Sequence, residues 1–191
     1  MAKTIITLGR EYCTGGRYIA KDVARALGIK LYDKELITMA AKHSGLSEEA
    51  VAASEKRHTH SLLYSLYTMG NELPLGDQVF ILQSRIIKQL AEEGPCVIVG
   101  RCADYILQDT ADCLKVFIHA DLAFRAHRIV EVYGQREQSP EERLRDKDKR
   151  RAAYHRFYTN MKWGHAQNYH LTLDSGVIGI DKCVDIIAEL Y

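Results

Sequence analysis

Three groups of residues in this chain could do chemistry with a phosphate. The first is Gly9-Arg10-Glu11-Tyr12-Cys13-Thr14-Gly15-Gly16-Arg17-Tyr18, between a short apolar run and an amphipathic stretch. A phosphate concentrates negative charge and needs several donors at close range. A glycine-rich turn entering a helix N-terminus supplies backbone N–H groups and a favourable dipole. The letters depart from G-x-x-x-x-G-K-[ST]. Matching Gly16-Arg17 to the Gly-Lys pair puts Glu11 at the first glycine and Tyr18 at the hydroxyl position. Matching Gly15-Gly16 puts Arg10 and Arg17 there instead. No lysine lies in the loop, and Lys21 is already a turn into the helix. Arg17 can bring the positive charge as a planar fork, and Thr14 offers a hydroxyl. The plainer alternative is a tight strand-to-helix connection with surface arginines.

The second group is Gly100-Arg101, directly after the apolar run Cys96-Val97-Ile98-Val99. In doubly wound sheets ligands gather at the carboxyl ends of the strands. Arg101 there can hold a phosphate bidentately, or it can pair with a neighbour such as Asp104. The third group is the run Arg143-Leu144-Arg145-Asp146-Lys147-Asp148-Lys149-Arg150-Arg151. At helical pitch Arg143, Lys147 and Arg150 or Arg151 share a side. Such a run is ordinarily a solvated helix face. Its functional reading is a lid that brings guanidinium groups onto a transferring phosphoryl and excludes water.

Other signals are weaker. His58 and His60 have no third ligand, so no zinc site is expected, and no metal-ligating residue is assigned. Cys13 sits near a helix N-terminus, where a thiol pKa would fall, yet no base partner accompanies it. Tyr154, Tyr158, Trp163 and Tyr169 fit core packing before base stacking.

These groups need elements to hold them. Thr4 to Leu8 reads as a strand, and Ile19, Val23 and Leu27, with Ala20 and Ala24, form a helical face that Gly28 ends. A short strand follows over 29–32. Residues 34–93 read as helical: Ser47 precedes Glu48-Glu49 at a helix start, and Asp77 is expected to cap a long helix with Val79, Leu82, Ile86 and Leu90 buried. The stretch from His58 to Pro74 is ambiguous, with Leu62, Leu63, Leu66 and Met69 at helical spacing. Further apolar runs at 96–99, 114–118 and, more weakly, 169–173 suggest buried parallel strands. Asp121 opens a helix to Tyr133. Ser139-Pro140-Glu141-Glu142 opens another, and the last starts near Asp181 with Ile180, Val184, Ile187 and Tyr191 as its apolar face. About five strands alternating with helices make an α/β fold with a parallel sheet.

Composition sets the outer bounds. The chain has 191 residues, 26 basic and 25 acidic side chains, and a 47% apolar share. That suits one domain, 1–191, in which 34–80 and 134–168 are excursions from a single core. A net charge of +1 argues against a polynucleotide partner while permitting local basic patches. Cys13, Cys96, Cys102, Cys113 and Cys183 form no C-x-x-C pair, which argues against a disulfide scaffold. The N-terminus is too short in apolar residues for a signal peptide, and no run reaches the roughly 18 residues of a membrane span. A reduced, cytoplasmic protein with no membrane partner is the expectation. The sequence leaves the oligomeric state open.

Several stretches together resemble the cytidylate kinase-like family, relatives of the P-loop nucleoside monophosphate kinases. They are Ile6-Thr7-Leu8-Gly9-Arg10-Glu11-Tyr12 with Gly15-Gly16-Arg17, Leu31-Tyr32-Asp33, Val97 to Asp104, Arg125-Ala126-His127-Arg128, Asp146 to Arg150, Lys162-Trp163-Gly164 and Asn168 to Leu171. The resemblance implies a P-loop NTPase-type three-layer sandwich of about five parallel strands, with a helical acceptor-binding insertion at 34–80 and a lid at 134–168. It implies an ATP-dependent phosphotransferase with Mg2+ and a small nucleotide acceptor. Gly9, Cys13, Thr14, Gly15, Gly16, Arg17 and Tyr18 would then hold the ATP phosphates, and Arg17 would stand where the family's loop has lysine. Asp33, Arg101 and Asp104 would hold the acceptor, with Arg125 and Arg128 as the arginine cluster after the fourth strand. Asp148, Arg151 and Arg145 would act from the lid. Cys102 stands where the relatives have an aspartate. A non-catalytic nucleotide-binding protein of the same fold, or a kinase for a non-nucleotide acceptor, are the alternatives.

Overall fold

The first apolar run builds the middle strand of a sheet. In a computed structural model that describes residues 4–54, 73–110, 112–134 and 139–191, β1 (Ile5–Arg10) lies between β3 (Cys96–Val99) and β4 (Cys113–His119). β2 (Lys30–Tyr32) and β5 (Leu171–Asp174) complete the order β2-β3-β1-β4-β5, with every pair parallel. The runs are continuously apolar because both faces are covered. Ile6, Leu8, Val97, Val99, Val116 and Ile118 pack on α1 (Gly16–Leu27) and the C-terminal helix. Ile5, Cys96, Ile98 and Cys113 face the other way, onto the helices that follow β2. The result is the three-layer α/β sandwich expected.

α1 begins at Gly15, in the left-handed region at φ 81°, and stops at Gly28, also left-handed. After β2 come α2 (Glu35–Ser44), α3 (Glu48–Ser54) and α4 (Leu75–Glu93). Ser47 caps α3 as expected, its hydroxyl accepting from Ala50 N–H at 3.2 Å. Asp77 does not cap α4. The helix starts after Pro74, whose carbonyl accepts from the N–H groups of Asp77 and Gln78, and the Asp77 carboxylate instead accepts from the Tyr158 hydroxyl at 3.1 Å. The short α5 (Ala103–Ile106) follows β3. α6 (Leu122–Tyr133) is capped by Asp121, and α7 (Pro140–Thr159) by Ser139 with proline in its first turn. α8 (Ser175–Ile178) and α9 (Ile180–Glu189) close the chain, α9 burying Cys183 and Ile187 against α1.

Two strand ends differ from the apolar pattern. β1 continues past Leu8 through Gly9 and Arg10, and β5 begins at Leu171, not Tyr169. His58, His60, Leu62, Leu63, Leu66 and Met69 fall outside the described residues. All five cysteines are free thiols. Among the described residues no helix is long and apolar enough to cross a membrane.

Candidate active site

The loop after β1 is framed by its own polar groups. Glu11 N–H donates to the Ile118 carbonyl at 3.0 Å, continuing the sheet, and Tyr12 N–H donates to Asp148 Oδ1 at 2.7 Å. Thr14 is buried. Its hydroxyl donates to the Glu11 carbonyl at 3.1 Å and accepts from Gly16 N–H at 3.3 Å, so it braces the loop from within. Ser175 Oγ clamps the same turn from α8, donating to the Thr14 carbonyl at 2.7 Å. Among the described residues the N–H groups of Cys13, Gly15, Arg17 and Tyr18 have no acceptor. Four unmatched donors at a helix N-terminus are what an anion needs.

Glycine is required here on steric grounds. A Cβ on Gly15 would lie 2.6 Å from Ile180 Cδ1, and one on Gly16 would lie 2.8 Å from Arg10 Cβ. The loop lines a cleft of about 330 Å³ together with Arg128, Val132 and Arg151. Arg128 lies over the half-exposed Tyr18 ring at 6.0 Å, and its Nε is buried with no hydrogen-bond partner among the described residues. Cys13 is half-buried and left-handed, at φ 64°. Burial pushes its thiol pKa up, outweighing the lowering by Arg128 and its neighbouring arginines, so the fall expected near a helix N-terminus does not occur.

Beside the loop, guanidinium groups converge on one carboxylate. Arg17 Nε pairs with Asp33 Oδ2 at 2.5 Å and Arg10 Nη2 with Oδ1 at 3.5 Å. Arg101 Nη1 donates to the Asp33 carbonyl at 2.8 Å. Arg151 Nη1 donates to the Arg10 carbonyl at 3.0 Å and lies over the Tyr12 ring at 5.4 Å. Burial, with the like charges of Arg151, Arg101 and Arg17, lowers the Arg10 pKa to about 9 against the pull of Asp33. The turn that delivers Arg101 is unusual: Gly100, Arg101 and Cys102 are all left-handed, at φ 75°, 52° and 56°. Successive non-glycine residues in that region store strain, and such strain clusters at functional sites.

α7 forms the far wall. Asp148 is not a free acid. Besides the Tyr12 N–H, it holds Arg125 Nη1 at 2.5 Å, and Arg125 in turn reaches the Tyr12 carbonyl and Glu11 at 3.4 and 3.6 Å. Burial raises the Glu11 pKa against the opposing pull of Arg125. Asp104 is equally committed, facing His155 Nε2 at 2.9 Å. The Thr159 hydroxyl donates to the His155 carbonyl at 2.6 Å and lies 3.2 Å from His155 Nδ1. The contact between the ring and Asp104 ties α5 to α7. Lys147, Arg150, Arg151 and Tyr154 line a second cleft of about 340 Å³ with Arg10, Ile37, Arg101 and Trp163. Arg145 is exposed on α7 and lines neither cleft.

Of the residues singled out in the sequence, the loop glycines, Arg17, Tyr18, Asp33, Arg101 and Arg151 come together. Arg145 does not, while Thr14, Asp104 and Asp148 stand in place with their polar groups already occupied. Arg10, His155, Lys147 and Arg150 join them without having been picked as site residues. Lys147 and Arg150 carried a signal in the basic run. Arg10 carried only its place beside Gly9.

A five-stranded parallel sheet with an anion-ready loop after its middle strand is the architecture of the P-loop kinases. Solved structures agree on that fold. Shikimate kinase from Bacteroides thetaiotaomicron matches at 15% identity over 99% of this chain and 98% of its own, with a TM-score of 0.58. A gluconokinase from Sinorhizobium meliloti matches at 12% identity over 99% and 96%, with a TM-score of 0.57. An uncharacterized protein from Eubacterium ventriosum is more similar, at 29% identity over 98% and 97%, with a TM-score of 0.75. A sequence model of the cytidylate kinase-like family matches residues 5–177, and the chain belongs to that family. No curated protein matches the chain significantly.

Proposed function

We propose that this protein is a cytoplasmic ATP-dependent phosphotransferase whose acceptor is a small phosphate-bearing molecule, with a pyrimidine nucleoside monophosphate as the first choice. The observation that carries the reading is the pair of clefts. One is walled by unmatched backbone donors, the other by arginines and a lysine, and Arg10 and Arg151 line both. The N–H groups of Cys13, Gly15, Arg17 and Tyr18, with Arg128, suit a polyphosphate. Arg101, Lys147 and Arg150 suit the phosphate of an acceptor, and Ile37 and Tyr154 suit its apolar part.

ATP supplies the phosphoryl group as substrate, with Mg2+ carried by its phosphates. The residues present fit that arrangement, because the Thr14 hydroxyl is already used within the loop and Mg2+ bound with a nucleotide takes much of its coordination from phosphates and water. An oxygen of the acceptor phosphate forms the new P–O bond, and the electron pair of the broken bond leaves with the nucleoside diphosphate. The chain's part is to align the two and to offset charge on the transferring group.

The test is turnover of the purified protein with ATP, Mg2+ and each nucleoside monophosphate, widened to sugar and hydroxy-acid acceptors. Turnover with none of them overturns the kinase reading. A second reading, a non-catalytic nucleotide-binding protein, is favoured by the engagement of Arg17 with Asp33 in a loop that lacks lysine. Thermal stabilisation by nucleotides without turnover would support it.

A further inference from the structure

The loop has no lysine, and Arg17, its nearest substitute by sequence, is turned aside. Its side chain is 51% exposed and its Nε is paired with Asp33. Arg10 is placed differently. It lies at the end of β1, its side chain is only 19% exposed, and it lines both clefts. Arg151 is the other residue that lines both. The two clefts therefore meet at these two side chains.

The path of Arg10 is cut by two glycines. Its stem runs against Gly16, where an added Cβ would come within 2.8 Å of Arg10 Cβ and 3.0 Å of Cγ. Its head runs against Gly100, where an added Cβ would come within 2.3 Å of Nη1. Gly16 belongs to the helix start and Gly100 to the turn after β3. Two elements far apart in sequence thus lack side chains at the places where Arg10 passes.

We infer that Arg10, seated in the slot between Gly16 and Gly100, is the cation that takes the place of the loop lysine, holding with Arg151 the anionic group that lies between the two clefts. This deepens the proposed phosphotransferase reading and rests on it. The charge around Arg10 fits the assignment. Its strongest charged neighbours are the like charges of Arg151, Arg101 and Arg17 and the opposing carboxylate of Asp33, so positive charge predominates around it. The lowering of its pKa has the same origin. Arginine stays protonated in proteins, so the lowering appears as a charge that the folded protein holds at a cost and that an anion relieves.

The experiment compares Arg10→Met, Arg10→Lys and Arg17→Met with wild type in three measurements. These are melting temperature without ligand, affinity for ATP with Mg2+ and for inorganic pyrophosphate by calorimetry, and kcat and KM with whichever acceptor turns over. Loss of one charge-assisted contact to an anion lowers affinity ~10- to 100-fold. Arg10→Met is expected to lose that much for both probes while its melting temperature without ligand holds or rises, because a crowded charge has gone. A purely structural arginine would lower it. Arg10→Lys is expected to recover most of the affinity, and Arg17→Met to lose less than Arg10→Met. Wild-type affinity in Arg10→Met, or a larger loss in Arg17→Met, overturns the inference. Failure of the kinase reading shows separately, as wild-type protein that binds ATP and turns over no acceptor, and the binding comparison still decides the role of Arg10.

Discussion

Asp148 should read out in stability before it reads out in rate. Its carboxylate accepts from Tyr12 N–H at 2.7 Å and from Arg125 at 2.5 Å, with the two ion-pair side chains 17% and 9% exposed. Asp148→Asn keeps the shape and removes the charge. A hydrogen bond to a charged group contributes ~1.5–3 kcal/mol, and breaking a buried ion pair costs ~3–5 kcal/mol. Glu11 remains 3.6 Å from Arg125 and continues to offset its charge, so the lower part of the range applies, ~2–3 kcal/mol. For a domain of this size 1 kcal/mol moves the melting temperature by ~2–4 °C, giving a fall of about 4–12 °C. Differential scanning calorimetry measures it, with urea unfolding as a check. Arg125→Met and the double variant complete a cycle, and a coupling of at least ~1 kcal/mol is expected between groups in direct contact. A melting temperature within ~2 °C of wild type together with a collapse of kcat would refute the structural role and return Asp148 to the chemistry.

Three more outcomes follow. Gly100→Ala, forced to adopt φ 75° and to meet Arg10 Nη1 at 2.3 Å, should cost ~1–3 kcal/mol and weaken ATP binding in calorimetry; wild-type binding would show that the slot is not needed. Burial raises the Glu11 pKa, so its contribution to stability is present below the ordinary carboxylate range and is lost as pH rises through the raised value. Glu11→Gln should therefore flatten the melting-temperature profile above about pH 4 and leave the neutral-pH value unchanged or higher, and a marked fall there would contradict the sign. At neutral pH iodoacetamide should label Cys13, the one thiol of the five that is not buried, more slowly than glutathione, because burial keeps it protonated; labelling faster than glutathione would mean that the surrounding arginines win.

The sheet and most helices were legible because their signals are local. Ile5 to Leu8, with Thr7 the one polar member, and Cys96 to Val99 are buried runs because helices cover both faces, and Ser139 and Asp121 cap the helices that they precede. Asp77 misled because Pro74 already sets the helix start, which freed its carboxylate to meet Tyr158 on α7. The site was legible as a set of arginines and glycines, and not as a set of pairings. Asp148 lies 136 residues from Tyr12 and His155 lies 51 from Asp104, and no periodicity reports such contacts. Arg10 was missed for a more specific reason. The apolar run ends at Leu8 while the strand runs two residues further, so a residue that reads as loop is fixed by the sheet and aimed across its end.

The position of Trp163 has a practical consequence. Its ring meets Phe117 edge-on, with centroids 5.2 Å apart, at the wall of the arginine-lined cleft. It is the only tryptophan in the chain. The protein thus carries a native fluorophore whose emission comes from one indole on the wall of that cleft, with no second indole to mix in. A titration in a cuvette can follow what enters there, with no label attached and no residue changed.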